Sequence, residues 1–338
     1  MPRPLVIVCT SAYYFEHFLA PCLQDTPWDF DLLRVDPRPG IHNLLAEINR
    51  TGTAVLVTGW DTPTLPVDLA QQAPTLKYVC HIIGGIRNLV PRSLIEGGLT
   101  VTNYNGAGAR LVAEHALLQI LACLRQATYY QLNLHTRGGW GQPPVQAPRS
   151  LYGRKVGFHG FGFNARALVK LLEPFGCQLA AYAPGDPDEL LSPPGAGVHV
   201  TRCNTLEELF SGSQIIVEFA PLTPETVGVV DERLLRLIPE DGILVNSGRG
   251  AVLDQAALTR IAQEGKLTLA MDVFVEEPLP SDSPLRGLPN VFLTPHMAGP
   301  TLDHYADLGW FALRNVARYF KGEPLQAVID AYRYDHQT

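Results

Sequence analysis

Residues 153–176 read GRKVGFHGFGFNARALVKLLEPFG, and the punctuation of that stretch decides the fold. A short run, Lys155–His159, is interrupted by Gly160-Phe161-Gly162-Phe163-Asn164-Ala165 and then gives way to helical spacing. The first Gly permits a tight turn, the second lets a diphosphate approach the backbone, and the small Ala lets helix and strand pack closely. The helix start then offers unpaired N–H groups and the positive end of its dipole to an anion. Strand, turn and helix in this order predict a dinucleotide site. Its usual acidic partner stands about 20 residues on, at the end of the second strand. Ala183, in LAAYAPGDP, occupies that place, with Asp186 three residues later and no Arg following to hold a 2′-phosphate. NAD and NADP both stay open, and the lack of a visible cation favours NAD.

Outward from this stretch the same alternation continues. Downstream, Gln178–Tyr182, Gln214–Phe219, Gly242–Asn246, Thr268–Asp272 and Val291–Thr294 read as strands, and a final amphipathic helix covers about Leu302–Phe320. Upstream, Leu5–Cys9, Leu32–Val35, Ala54–Val57, Lys77–Cys80 and Leu99–Thr102 read likewise, separated by segments such as Ile41–Asn49 with one apolar face. Strands recurring with helices between them predict parallel sheets covered on both faces. The fold class is therefore α/β, with two doubly wound, Rossmann-like parallel-sheet domains. Between the halves runs LVAEHALLQILACLRQ, an almost charge-free helix pattern, followed by the Gly- and Pro-rich residues 137–150. A helix apolar on all sides is normally buried between layers.

Composition narrows the function. The 338 residues are 46% hydrophobic and 17% charged, which excludes a mainly disordered chain. A net charge of −7 without any Lys/Arg run gives no footprint for nucleic acid or an acidic membrane. The cysteines at 9, 22, 80, 123, 177 and 203 form no C-x-x-C pair, so neither a metal site nor a disulfide scaffold is expected. Leu5–Cys9 is too short for a signal-peptide core, and no stretch approaches the ~18 apolar residues of a membrane span. A soluble, cytoplasmic protein is expected.

Three later segments share one layout, a strand followed at once by a polar group: ILVNSGRG with Arg249, LAMDVFVEEP with Glu277 and VFLTPHMAG with His296. In open parallel sheets, ligands sit beyond the carboxyl ends of strands, so residues distant in sequence can meet there. Arginine offers a planar fork for a carboxylate. Histidine moves protons near neutral pH, and a carboxylate beside it stabilises its charged form. Taken singly, each also reads as a surface ion pair, a solvated turn or a structural histidine.

These stretches, together with VTNYNGAGARLVAEHALLQILACLR, PLTPETVGVVDERLL and LTPHMAGPT, resemble the D-isomer-specific 2-hydroxyacid dehydrogenases over about residues 75–327. The resemblance implies a dinucleotide-binding domain, residues 107–298, inserted into a substrate domain formed by 1–106 and 299–338. It implies that His296 is the general acid/base, that Glu277 hydrogen-bonds it, and that Arg249 anchors the substrate carboxylate and polarises its carbonyl. Asp272 is similar to the family's residue beside the nicotinamide, and Pro221 and Thr226 fall in its cofactor-binding stretch. The loop Ile83–Asn88 resembles the one whose backbone binds the substrate carboxylate, which places Gly84, Gly85, Ile86 and Arg87 in the substrate site. Arg87 stands where many members have Asp; it reads as a second substrate cation or as half of a structural ion pair. His159 stands where an aliphatic residue is usual, as a satisfied core histidine or a group near the diphosphate. His115 reads as packing. The implied activity is interconversion of a small 2-oxo acid, such as glyoxylate or hydroxypyruvate, with its D-2-hydroxy acid. A homodimer through 107–150 is implied, with Trp140 as a candidate anchor. The competing reading is an NAD(H)-binding sensor or corepressor-like protein that catalyses little.

Overall fold

In the N-terminal half, the strands β1 (Leu5–Cys9), β2 (Asp31–Val35), β3 (Val55–Thr58), β4 (Tyr78–His81) and β5 (Thr100–Thr102) form a parallel sheet in the order β2-β1-β3-β4-β5. The strands β3 and β4 are buried along their whole length, which is why they read as unbroken apolar runs rather than alternating ones. One face, with Ile7, Leu56 and Val79, packs on Leu44, Leu45 and Ile48 of the helix Ile41–Thr51. That helix ends at Gly52, whose φ of +65° closes the last turn. The other face, with Val6, Val8 and Val57, receives Leu308, Leu313 and Val316 from the helix Tyr305–Lys321. The chain splits into two units, and this first one comprises Met1–Gly108 and Pro300–Gln337. The computed structural model describes residues 3–24, 27–140, 147–185, 191 and 197–336.

The second unit, Ala109–Gly299, holds seven parallel strands in the order β12-β11-β10-β9-β6-β7-β8. They are β6 (Lys155–His159), β7 (Gln178–Tyr182), β8 (Val200–Arg202), β9 (Ile215–Glu218), β10 (Ile243–Asn246), β11 (Thr268–Met271) and β12 (Val291–Leu293). The helices Ala109–Leu124 and Phe163–Leu172 supply one apolar layer; Leu206–Gly212, Glu232–Leu235 and Gln255–Glu264 supply the other. From β6 the chain proceeds outward to β7 and β8, then returns to place β9 on the other side of β6. The strand order therefore reverses between β6 and β9, where a doubly wound sheet opens a crevice at its carboxyl edge.

Two elements depart from the expectations. The strand β8, only Val-Thr-Arg, has no apolar run to announce it and forms because it can pair with β7. The helix Gly106–Leu124 is long and apolar enough to cross a bilayer, contrary to the reading that no stretch comes near; most of it is buried as a core helix. Asp186 lies outside the described residues.

Candidate active site

The glycine turn is held by close contact. Gly160 has φ +84°, and a Cβ there would stand 2.7 Å from the Ala220 main-chain nitrogen, so no side chain fits. Gly162, by contrast, has nothing within 4 Å of where its Cβ would be. A diphosphate could approach the backbone from that open side. Phe161 and Ala165 point inward and are buried, the small Ala165 letting the helix Phe163–Leu172 settle on the sheet. Asn164 is partly buried in the first helical turn and Phe163 is exposed. The Arg166 guanidinium lies 4.9 Å from the Phe163 ring centroid and donates to the Phe161 carbonyl at 3.3 Å, adding positive charge beside the turn. An open, glycine-lined, positively charged helix start fits the diphosphate of a dinucleotide.

At the strand reversal, His159 and Glu218 end β6 and β9. The His159 Nδ1–H donates to Glu218 Oε2 at 2.6 Å, and Glu218 Oε1 accepts the Ala220 N–H at 2.8 Å. Both side chains are buried, so His159 is a core histidine with a named partner. Nearby, the loop after β9 closes on itself, with Thr226 Oγ1 donating to the Pro221 carbonyl at 2.6 Å.

Ala183 is buried at the end of β7. The cation missing from the nearby sequence arrives there from β8: Arg202 pairs in register with Ala181, and its Nη1–H donates to the Ala183 carbonyl at 3.1 Å. Sequence reasoning missed it because Arg202 follows Ala183 by 19 residues and closes an unrecognised strand.

The other candidate residues stand at the ends of three adjacent strands. In the parallel ladders Asn246 faces Met271 and Met271 faces Leu293, so Arg249, Asp272 and His296 all follow the same sheet edge. The Arg249 Nη1–H donates to the Gly248 carbonyl at 2.8 Å, and its main-chain carbonyl accepts from Asn246 Nδ2 at 3.1 Å. A Cβ on Gly250 would collide with the Phe274 main chain at 2.1 Å, which fixes the sequence Arg-Gly here. His296 is half exposed, and its Nδ1–H donates to Glu277 Oε2 at 2.6 Å. Glu277 is in turn oriented by the Phe274 N–H, 2.8 Å from Oε1. With Nδ1 committed, Nε2 is the nitrogen available for proton exchange.

Beneath His296 lies a polar network that the sequence did not reveal. Thr294 Oγ1 donates to Asp272 Oδ1 at 2.7 Å and accepts from His115 Nε2 at 3.1 Å. Burial pushes the His115 pKa down, with Asp272 opposing the shift, so His115 is a neutral hydrogen-bonding member rather than mere packing. Gln119 extends the chain, accepting from Ser247 Oγ at 2.5 Å.

In the first unit, the loop Ile83–Asn88 keeps Ile86 buried and Gly85 exposed. The Gly84 carbonyl is fixed by Asn103 Nδ2 at 2.6 Å. Arg87 donates through Nε to the Tyr334 carbonyl at 2.9 Å and through Nη2 to the Asp335 carbonyl. Those carbonyls belong to the C-terminal helix Ala331–His336.

Residues 117–298 match the model of the D-isomer specific 2-hydroxyacid dehydrogenase NAD-binding domain. The chain is 30% identical over 264 residues to a D-3-phosphoglycerate dehydrogenase of Methanocaldococcus jannaschii, covering 78% of this chain and about half (49%) of that longer protein. It is 30% identical over 273 residues to a glyoxylate reductase of Aeropyrum pernix, covering 78% of each. Its fold superposes on a D-lactate dehydrogenase with NAD+ from Lactobacillus jensenii with a TM-score of 0.80 at 20% identity, over 96% of this chain and 99% of that one. The sequence matches and the paired parallel sheets place this chain in the D-isomer specific 2-hydroxyacid dehydrogenase family, whose members are NAD(P)-dependent oxidoreductases.

Proposed function

We propose that the protein interconverts a small 2-oxo acid, of the glyoxylate or hydroxypyruvate kind, with its D-2-hydroxy acid. The observation that carries this reading is the 2.6 Å hydrogen bond from His296 Nδ1 to Glu277, on the sheet edge that also bears Arg249. A dinucleotide held at the glycine turn Gly160–Ala165 would supply the hydride chemistry at the 2-oxo carbon. His296 Nε2 gives its proton to the carbonyl oxygen as the alcohol forms and takes it back in the reverse direction, while Glu277 balances the imidazolium. Arg249 holds the substrate carboxylate and stabilises the growing oxyanion, a contribution of about 3–4 kcal/mol when such a donor is removed from a site.

Gly160, Phe161, Gly162, Phe163, Asn164 and Ala165 form the dinucleotide cradle, with Pro221, Thr226 and Ala183 along it and Asp272 at its nicotinamide end. In the first unit, the main-chain groups of Gly84, Gly85 and Ile86 are assigned to the substrate carboxylate. The name of the Aeropyrum pernix relative, a glyoxylate reductase, supports the substrate class. The reading includes a cytoplasmic homodimer joined through 107–150, for which the 85% exposure of Trp140 leaves an apolar anchor available.

A panel of 2-oxo acids assayed with NADH and NADPH tests this reading. One small acid should be reduced, and His296→Gln and Arg249→Ala should each lower turnover by about 100-fold or more while dinucleotide still binds. Rates within a few-fold of the unaltered protein would remove the assignment.

A further inference from the structure

Arg249 follows β10 and His296 follows β12, and β11 lies between those two strands. Neighbouring strands are about 4.8 Å apart, so the two strand ends stand roughly 10 Å from each other, and no ladder joins them directly. A side chain from the helix Ala109–Leu124 reaches both loops. Gln119 is fully buried; its Oε1 accepts from Ser247 Oγ at 2.5 Å and its Nε2 donates to Thr294 Oγ1 at 3.5 Å. Ser247 stands two residues before Arg249, and Thr294 two before His296. One turn earlier on the same helix face, His115 Nε2 meets the same Thr294 hydroxyl at 3.1 Å and reinforces the longer Gln119 contact. Ala116, Ile120 and Cys123 pack this helix into the core with Val245 of β10 and Ala270 of β11, which gives the amide a rigid mount.

We propose that Gln119 is a positioning residue that sets the spacing of Arg249 and His296. The proposal rests on the roles given to those two residues above and adds the part that spaces them. In a 2-oxo acid the carboxylate is bonded directly to the carbonyl carbon. The guanidinium that grips one and the imidazole that protonates the other must therefore keep one separation. A misplacement of about 1 Å between reacting groups costs on the order of 100-fold in rate. Strand pairing fixes Asn246 against Met271 and Met271 against Leu293, but Arg249 and His296 lie beyond these last pairs. An amide suits the gap because it accepts at one atom and donates at the other, so one planar group bonds a hydroxyl in each loop. A glutamine that merely satisfied the core would make the same bonds, but its loss would lower stability and leave the rate of the folded enzyme unchanged.

Gln119→Leu, Ser247→Ala and the two combined separate these roles in the full chain. Gln119→Leu leaves the Ser247 hydroxyl without its acceptor, whereas the combined variant removes both partners and Thr294 keeps Asp272 and His115. Removing both partners of a buried hydrogen bond is nearly neutral for folding, so the thermal midpoint of the combined variant should return toward that of the unaltered chain. With glyoxylate and hydroxypyruvate as probes, kcat/KM should fall by about 10- to 100-fold in each single variant and no further in the combined one. The KM for NADH or NADPH, and the calorimetric affinity for either, should stay unchanged. If Gln119→Leu does not fold, Ser247→Ala cuts the same link from the loop side. Turnover within a few-fold of the unaltered chain in the folded combined variant would overturn the proposal alone, as would an equal loss of dinucleotide affinity. If His296→Gln and Arg249→Ala also left turnover intact, the catalytic reading would fall with it.

Discussion

Asp272 holds the backbone that presents His296. Its main-chain carbonyl accepts the His296 N–H at 2.8 Å, while its carboxylate accepts from the Met297 and Ala298 N–H groups at 2.9 Å. His296 adopts φ +52°, a left-handed conformation uncommon outside glycine, and hydrogen bonds constrain the loop to it. The buried carboxylate supplies that constraint from both sides of the turn. The role proposed for Asp272 beside the nicotinamide would thereby be combined with one in shaping the loop.

Asp272→Ala should accordingly do more than remove a contact. Two main-chain donors and the Thr294 hydroxyl lose their acceptor, at about 1–3 kcal/mol for each group left buried and unpaired. Denaturant titration should show a loss of about 3 kcal/mol or more, and turnover of the still-folded protein should drop at least tenfold. His296→Gln, which leaves the carboxylate network in place, should stay within about 1 kcal/mol of the unaltered protein. If Asp272→Ala costs no more than His296→Gln, the organising role is lost.

Gly162 and Gly250 should part company when each is changed to Ala. At Gly250 the added methyl would overlap the Phe274 backbone, and backbone cannot swing aside as a side chain can. A loss of about 3 kcal/mol or an insoluble protein is expected. At Gly162, φ is −73° and the methyl meets nothing. Stability should hold to about 0.5 kcal/mol, while dinucleotide affinity falls because the methyl fills the phosphate approach. Thermal melting with and without dinucleotide reads both effects, and undiminished affinity in Gly162→Ala would place the diphosphate elsewhere.

Most of the fold could be read from the chain because its strands are nearly continuous apolar runs: Lys155–His159 and Gln178–Tyr182 are observed with the expected ends. The strand Val200–Arg202 was illegible because an outer strand of three residues needs little apolar material. With it went the cation at Ala183, since side chains joined only by strand pairing leave no local signature. The Arg249, Glu277 and His296 segments were legible because each polar residue lies within one short loop of a strand's carboxyl end. The Asp272–Thr294–His115 network was not, as nothing in the spacing of three polar residues specifies their hydrogen bonds. The partner of His159 was hidden likewise: Glu218 ends a strand 59 residues away.

His81 gives the first unit a predictable response to acid. Its ring is buried with Nδ1 2.8 Å from Thr58 Oγ1, and burial pushes its pKa from 6.5 down to about 4. In the unfolded chain it titrates near 6.5, so below that pH the unfolded state binds the extra proton. Stability from this group is complete above pH 6.5, falls through the window from 6.5 to 4, and levels off below it. Across the whole window the loss should total about 3 kcal/mol. Urea titrations at pH 7.5 and 4.5 should show this slope, and in His81→Gln the part due to this histidine should vanish. An unchanged slope in the variant would assign the acid response to other groups.

Arg87 offers the most direct test of how the substrate loop is supported. Its guanidinium meets the Tyr334 and Asp335 carbonyls, Tyr334 Oη donates to the Val90 carbonyl at 2.9 Å, and Arg92 pairs with Asp335 at 3.0 Å. Four contacts thus tie the C-terminal helix to the segment that begins at the candidate substrate loop. Cationic groups on the last carbonyls of a helix are favourable but, exposed as here, contribute only about 0.3–1 kcal/mol. Global stability should therefore barely change in Arg87→Ala, whereas amide exchange across residues 331–336 should accelerate. If the helix steadies the loop, removal of residues 331–338 should raise KM for the 2-oxo acid by the same few-fold factor as Arg87→Ala, with kcat nearly preserved. If Arg87 instead binds substrate itself, Arg87→Ala should raise KM by tens of fold and the truncation should not. The ratio of the two KM changes decides between a strut and a substrate contact.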